Sequence, residues 1–190
     1  MEPLLVSAFV VAISEIGDKT QLLAILLATR FKAPLPIIAG ILVATIANHL
    51  LAATAGVFLS NLLSGAWFRI LVGVSFLVMA GWALIPDKAD DLKPTAGKLG
   101  VFVTTVVAFF LVEIGDKTQI ATLALAARFH SILLVAAGTT LGMMIADVPA
   151  VFLGEAATKI VPLKYVRWGS AAMFAALGVW ALLQTAGWLH

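Results

Sequence analysis

Glu15-Ile16-Gly17-Asp18-Lys19-Thr20-Gln21 returns unchanged, 98 residues later, as Glu113-Ile114-Gly115-Asp116-Lys117-Thr118-Gln119. The register runs well beyond these residues. Arg30 falls on Arg128, Phe31 on Phe129, Gly40 on Gly138, Gly56 on Gly154, Arg69 on Arg167, and Trp82-Ala83-Leu84 on Trp180-Ala181-Leu182, without a gap. A match this long marks a duplication. Both heptapeptides lie in the middle of long apolar runs, so the duplication carries charges into hydrophobic surroundings twice.

The chain has 190 residues, of which 62% are hydrophobic and 12% charged, about half the charged share usual in soluble domains. A soluble fold of this length leaves too much surface wet to hide so many apolar side chains. A bilayer core takes roughly 20 apolar residues per helix. The runs 3–28, 35–60, 66–86, 99–126, 132–157 and 166–188 meet that length and are expected to be six transmembrane helices. They are too long and too uniformly apolar for barrel strands. Pro34 and Pro36 open the second run, Pro86 closes the third, and Pro162 separates the last two. The chain is therefore read as one all-α integral membrane domain over 1–190. Repeat 1 covers 1–86, a wet linker 87–98, and repeat 2 99–190.

Each repeat holds three spans. After an odd number of spans the second copy enters the membrane from the opposite face, so the repeats are inverted. Secondary transporters use that arrangement, with the substrate site between repeats near the midplane. The loops after spans one, three and five carry Arg30, Lys32, Lys88, Lys93, Lys98, Lys159, Lys164 and Arg167; the other side carries Arg69 and Arg128. The positive-inside rule then puts the linker in the cytoplasm and both termini outside. Trp67, Trp168 and Trp188 lie near span ends, as interface anchors do. The acidic, apolar start at Met1-Glu2 lacks the basic region of a signal peptide, so the first run is expected to be a retained span.

A ridge of small residues, Gly40, Ala44, Asn48, Ala52 and Gly56, recurs every fourth position in span two; Gly138, Gly142, Ala146, Ala150 and Gly154 repeat it in span five. Such ridges let helix backbones approach in lipid. They are expected to pack spans two and five on spans one and four or on each other, and they also suit a homodimer.

A charged side chain at a helix centre costs about 2.5–3.5 kcal/mol on insertion scales. The six in the two motifs would cost roughly 15–20 kcal/mol uncompensated. On a continuous helix Glu15 and Asp18 share a face, as do Glu113 and Asp116. These four are the candidate metal ligands. Four acids with Lys19 and Lys117 leave a formal charge of −2, which one divalent cation neutralises. Thr20, Thr118, Gln21 and Gln119 add oxygens or hydrogen bonds, and Gly17 and Gly115 offer places to unwind and expose carbonyls. The competing structural reading is an intrahelical Glu15–Lys19 ion pair. Asp147, followed by Pro149, is a candidate fifth acid. Its counterpart is His49, beside Asn48, so both are candidates for metal or proton contact. Met143 and Met144 lie one turn before Asp147; a thioether ligand would favour manganese, though methionine usually fills apolar gaps. Glu155 and Lys159 read as a solvated pair.

An oxygen donor set suits magnesium, calcium or manganese. No cysteine is present, and no zinc-protease or nucleophile-elbow motif, so an enzyme is disfavoured. A nucleic-acid binder is disfavoured by the composition. Carboxylates that hold either a cation or protons give cation–proton exchange if the site opens alternately to each side. A channel or uniporter, or an exporter of small organic solutes, remains open on the residues alone.

The doubled Glu-x-Gly-Asp-Lys-Thr signature resembles the family of Golgi transmembrane protein 165 and its bacterial relatives, long labelled uncharacterised protein family 0016. The resemblance covers essentially the whole chain, and both copies fit the family's Glu-x-Gly-Asp-[Lys/Arg]-[Thr/Ser] pattern. It implies transport of manganese, with calcium as a second ion, in exchange for protons, with Glu15, Asp18, Glu113 and Asp116 as ligands. It implies no permanently bound cofactor; the cation is cargo. The short linker and minimal N-terminus fit a bacterial plasma-membrane protein.

Overall fold

The computed structural model describes residues 1–63, 65–85, 100–154 and 163–185. These form eight helices: α1 (Glu2–Glu15), α2 (Lys19–Phe31), α3 (Pro34–Leu62), α4 (Ala66–Ala83), α5 (Val101–Glu113), α6 (Lys117–Phe129), α7 (Ile132–Leu153) and α8 (Leu163–Thr185). The linker, Glu155, Lys159, Pro162 and Trp188 lie outside the described residues. Among the described residues, three helices are long and apolar enough to cross a bilayer, Pro34–Leu62, Ile132–Leu153 and Lys164–Thr185.

The runs 3–28 and 99–126 are each expected as one span, with Gly17 and Gly115 as places to unwind, and the helix does stop there. Each run is two helices that meet at the acidic motif. The 14 residues of α1 reach about 21 Å at 1.5 Å per residue, short of a hydrocarbon core of about 30 Å. The break has a local cause. Ile16 (φ −62°, ψ 116°) and Gly17 (φ 79°) are the central residues of a type II turn, closed by the Asp18 N–H donating to the Glu15 carbonyl at 3.0 Å. Ile114 (φ −63°, ψ 117°), Gly115 (φ 80°) and the Asp116 N–H to Glu113 carbonyl bond at 3.1 Å repeat it. The third position of this turn needs positive φ, which glycine adopts without steric cost. Glu15 and Asp18 therefore do not share a face of one helix. The intrahelical Glu15–Lys19 pair is likewise lost, because Glu15 ends α1 and Lys19 begins α2.

The two halves grip each other. α1 packs on α7 and α5 on α3; α6 packs on α3 and α2 on α7. The small-residue ridges make these contacts possible. A Cβ on Gly142 would come within 2.5 Å of the Ala8 carbonyl in α1, and one on Gly40 within 2.7 Å of Thr105 in α5. Gly56 lies equally close to the Leu123 carbonyl of α6. Each ridge thus serves the broken helices of the opposite half. Three residues also touch their own counterparts: the side chains of Asp18 and Asp116 meet, the Thr45 hydroxyl donates to Met143 Sδ at 3.0 Å, and Phe76 stacks on Phe174 at 6.4 Å. Each of these three contacts joins positions 98 apart in the sequence. Trp67 is 83% exposed and Trp168 is also exposed.

Candidate cation site

The two turns bring four helix ends to the centre of the bundle. α1 and α5 arrive with their C-terminal carbonyls. α2 and α6 arrive with their N-terminal N–H groups, capped by Asp18 and Asp116. Neither aspartate makes a side-chain capping bond to its own helix. Their carboxyls face other groups while still gaining from the positive end of the dipole.

Gln21 and Gln119, expected to add oxygens or hydrogen bonds, make hydrogen bonds. Gln21 Oε1 accepts the Gly17 N–H at 2.8 Å and Gln119 Oε1 accepts the Gly115 N–H at 2.7 Å. Unwinding leaves those amides without a helical acceptor, and the glutamine four residues on supplies one. Gln21 also donates through Nε2 to the Ala146 carbonyl at 3.1 Å, tying α2 to α7. Asn48 ties α3 to α5 by donating through Nδ2 to the Phe110 carbonyl at 3.2 Å, and its Oδ1 has no partner.

The acids divide into two kinds. Glu15 and Asp147 are both 0% exposed, and none of their four carboxylate oxygens has a hydrogen-bond partner. Buried acceptors without donors are costly, so these four oxygens call for a physical explanation. Glu15 lies within electrostatic reach of Asp18, Glu113, Asp147 and Asp116. Glu113 is better supplied. It accepts the Thr118 hydroxyl at 2.6 Å, and its Oε1 lies 3.8 Å from His49 Nε2. His49 Nδ1 is 3.3 Å from the Thr140 hydroxyl. Thr118 also reaches Asp116 Oδ2 at 3.2 Å. Asp18 is met by Lys117, Nζ to Oδ1 at 2.7 Å.

The structure thus brings Glu15, Asp18, Glu113, Asp116, Asp147, His49 and Asn48 to one buried layer. Among the described residues, no three histidine or acid side chains converge closely enough to hold a metal ion. Lys117 meets Asp18, and Thr118 meets Glu113 and Asp116. Met143 is buried, but its sulfur accepts the Thr45 hydroxyl. Thr140, as the hydroxyl facing His49, and Thr45 escape sequence reasoning: both read as ordinary small polar residues in apolar helices. The signal that would have found Thr45 is its 98-residue spacing from Met143.

Access to this layer is narrow. A crevice of about 10 Å³, lined by Gly17, Asp18, Lys117, Arg167 and Ser170 among others, holds about one water. A wider cavity, about 570 Å³, lies elsewhere, among Ser60, Arg69, Arg128, His130 and Gln184, with no carboxylate in its described lining. Its size is no argument for the chemistry, because a cation site needs anionic oxygens.

The family model described as "Divalent cation/proton antiporter GDT1" matches residues 3–91 and 101–188. A protein of Vibrio cholerae serotype O1 named "Putative manganese exporter" is 49% identical over 175 residues, covering 92% of this chain and 87% of that protein. No solved structure matches. The chain is a multi-pass membrane protein that belongs to the GDT1 divalent cation/proton antiporter family.

Proposed function

We propose that this protein exports a divalent cation, manganese first and calcium second, in exchange for protons, by alternating access to the buried carboxylate layer. The observation that carries the reading is the pair Glu15 and Asp147, whose carboxylate oxygens are fully buried and unpartnered. An ion held there by oxygens gains what those acceptors lack, and its charge offsets the desolvation of the acids. Family membership and the relative's name support cation and ion identity. Asp18, Glu113, Asp116 and the free Asn48 oxygen complete the donor set as the layer rearranges around an ion. Protons occupy the same oxygens when the ion has left, with His49 beside Glu113 as a relay.

Six spans fit this reading: α1 with α2, α3, α4, α5 with α6, α7 and α8. The halves then enter the membrane from opposite faces, and the broken spans place half-helix ends at mid-depth. Lysine and arginine positions favour a cytoplasmic linker and external termini in a bacterial inner membrane.

The test is flux in proteoliposomes with a metal dye and a pH dye inside. Manganese, calcium and magnesium are supplied in turn, with and without an imposed pH gradient. Manganese movement with opposite proton movement, lost in Glu15→Gln, is the expected result. Metal flux without proton movement would make the protein a channel or uniporter. Absence of flux for every cation, from protein shown to be folded, would sink the reading.

A further inference from the structure

Lys117 begins α6 in the second half, yet its ammonium lies 2.7 Å from Asp18 Oδ1 in the first half, with the two side chains only 6% and 1% exposed. This is a short charge-assisted bond in a dry setting, where an uncompensated carboxylate is strongly disfavoured. The oxygen it occupies belongs to an acid of the candidate donor set. A divalent cation that takes Asp18 Oδ1 must first displace the ammonium. A second anion is at hand to receive it, because Asp116 touches Asp18 and interacts with Lys117. We infer that Lys117 is a tethered counter-cation that competes with the transported ion for Asp18, holding the empty site together and speeding release of the ion.

The inference rests on the functional reading above, and on Asp18 being a ligand. It demands no change in the protonation of Lys117; the ammonium moves between two carboxylates and stays charged. It also explains how the layer tolerates two touching aspartates when no ion is bound.

The test is equilibrium binding of Mn²⁺ alone to purified full-length protein in detergent, paired with flux kinetics in proteoliposomes. Lys117→Gln is expected to bind Mn²⁺ about tenfold more tightly, the scale of one lost pairwise charge interaction. Its KM should fall while its maximal flux falls too, since release slows. Lys117→Arg restores the positive charge and should return affinity toward wild type. In an Asp18→Asn background, adding Lys117→Gln should give no further tightening, because the competitor has nothing left to compete for. This second comparison keeps the inference testable if the single variant folds poorly. Unchanged or weaker binding in Lys117→Gln overturns the inference, as does tightening that persists without Asp18. If wild type binds Mn²⁺ and Glu15→Gln abolishes binding, those outcomes count against Lys117 alone. Wild-type protein that binds no divalent cation overturns the functional reading and this inference with it.

Discussion

The two heptapeptides are identical in sequence and almost identical in backbone, yet their side chains stand in opposite conditions. Gly17 and Gly115 have φ of 79° and 80°, and the glutamine that serves each N–H lies at 2.8 and 2.7 Å. Glu15, however, has no hydrogen-bond donor on either oxygen, whereas Glu113 receives Thr118 and faces His49. Thr20 is buried with an unpartnered hydroxyl, while its copy Thr118 bridges two acids. The difference comes from outside the motif. At one pseudo-equivalent position α3 presents His49 toward Glu113; at the other, α7 carries Asp147 within electrostatic reach of both Glu15 and Glu113. Local sequence determines the turn, and the neighbouring helix determines the charge each glutamate meets.

If the unpartnered copy is where the ion is first held, Glu15→Gln should lower Mn²⁺ flux by 100-fold or more, since even outer-shell partners of a metal site are worth about 10–100-fold. Glu113→Gln should cost less in Mn²⁺ affinity, because Glu113 already has a hydroxyl and an imidazole beside it. Binding and flux measured on both variants decide this. Equal losses of affinity would remove the functional distinction between the copies.

The next effect tests the neighbouring helices directly. Asp147→His would place an imidazole at the position matching His49 and remove an acid that lies near both glutamates. Mn²⁺ affinity should fall by about 10–100-fold, in the range of a lost metal-site contact, with folded yield maintained because the exchange removes a buried, unpartnered acid. An Asp147→His variant that binds Mn²⁺ as wild type would show that position 147 does not distinguish the copies.

A smaller effect separates the threonines. Thr118→Val deprives Glu113 and Asp116 of a donor and should destabilise by about 1–3 kcal/mol, the cost of a buried acceptor left unsatisfied. Thr20→Val removes a hydroxyl that bonds to nothing in this state and should be neutral or stabilising. Thermal denaturation of the two variants, side by side, reads the difference; a Thr20→Val loss as large as that of Thr118→Val would mean the first copy hides a partner of its own.

Sequence and structure meet at the features that are local or periodic. The duplication, the intramembrane acids, the helix-breaking glycines and the four-residue ridges are all patterns of spacing, and the ridges do pack against the opposite half. Hydropathy alone does not show the breaks in spans one and four, because it averages over three residues that turn. What spacing does not carry is which side chain of one helix faces which of another. Lys117 reads like Lys19, but the crossing of α6 with the first half sends it to Asp18. Gln21 reads like a ligand until the turn leaves the Gly17 amide in need of an acceptor. His49 reads as an isolated histidine until the register of α3 on α5 sets it 3.8 Å from Glu113.

The smallest expected difference lies where the copies agree. Gly115 has φ of 80° and open space where a Cβ would go, so Gly115→Ala meets no steric obstacle beyond its own backbone. A positive φ costs an L-residue about 1–2 kcal/mol. The turn at Gly17 has the same φ within a degree, so the backbone penalty of Gly17→Ala should be the same. If the turns are purely local, the two alanine variants should lose equal stability in the metal-free protein, within the roughly 0.5 kcal/mol that separates independent sites. The side chains around them differ, so any larger gap in metal-free melting temperature would come from those surroundings. Adding Mn²⁺ then sharpens the comparison. A turn that must move for the ion to bind should show its alanine penalty change with metal, and a turn that serves only as scaffold should not.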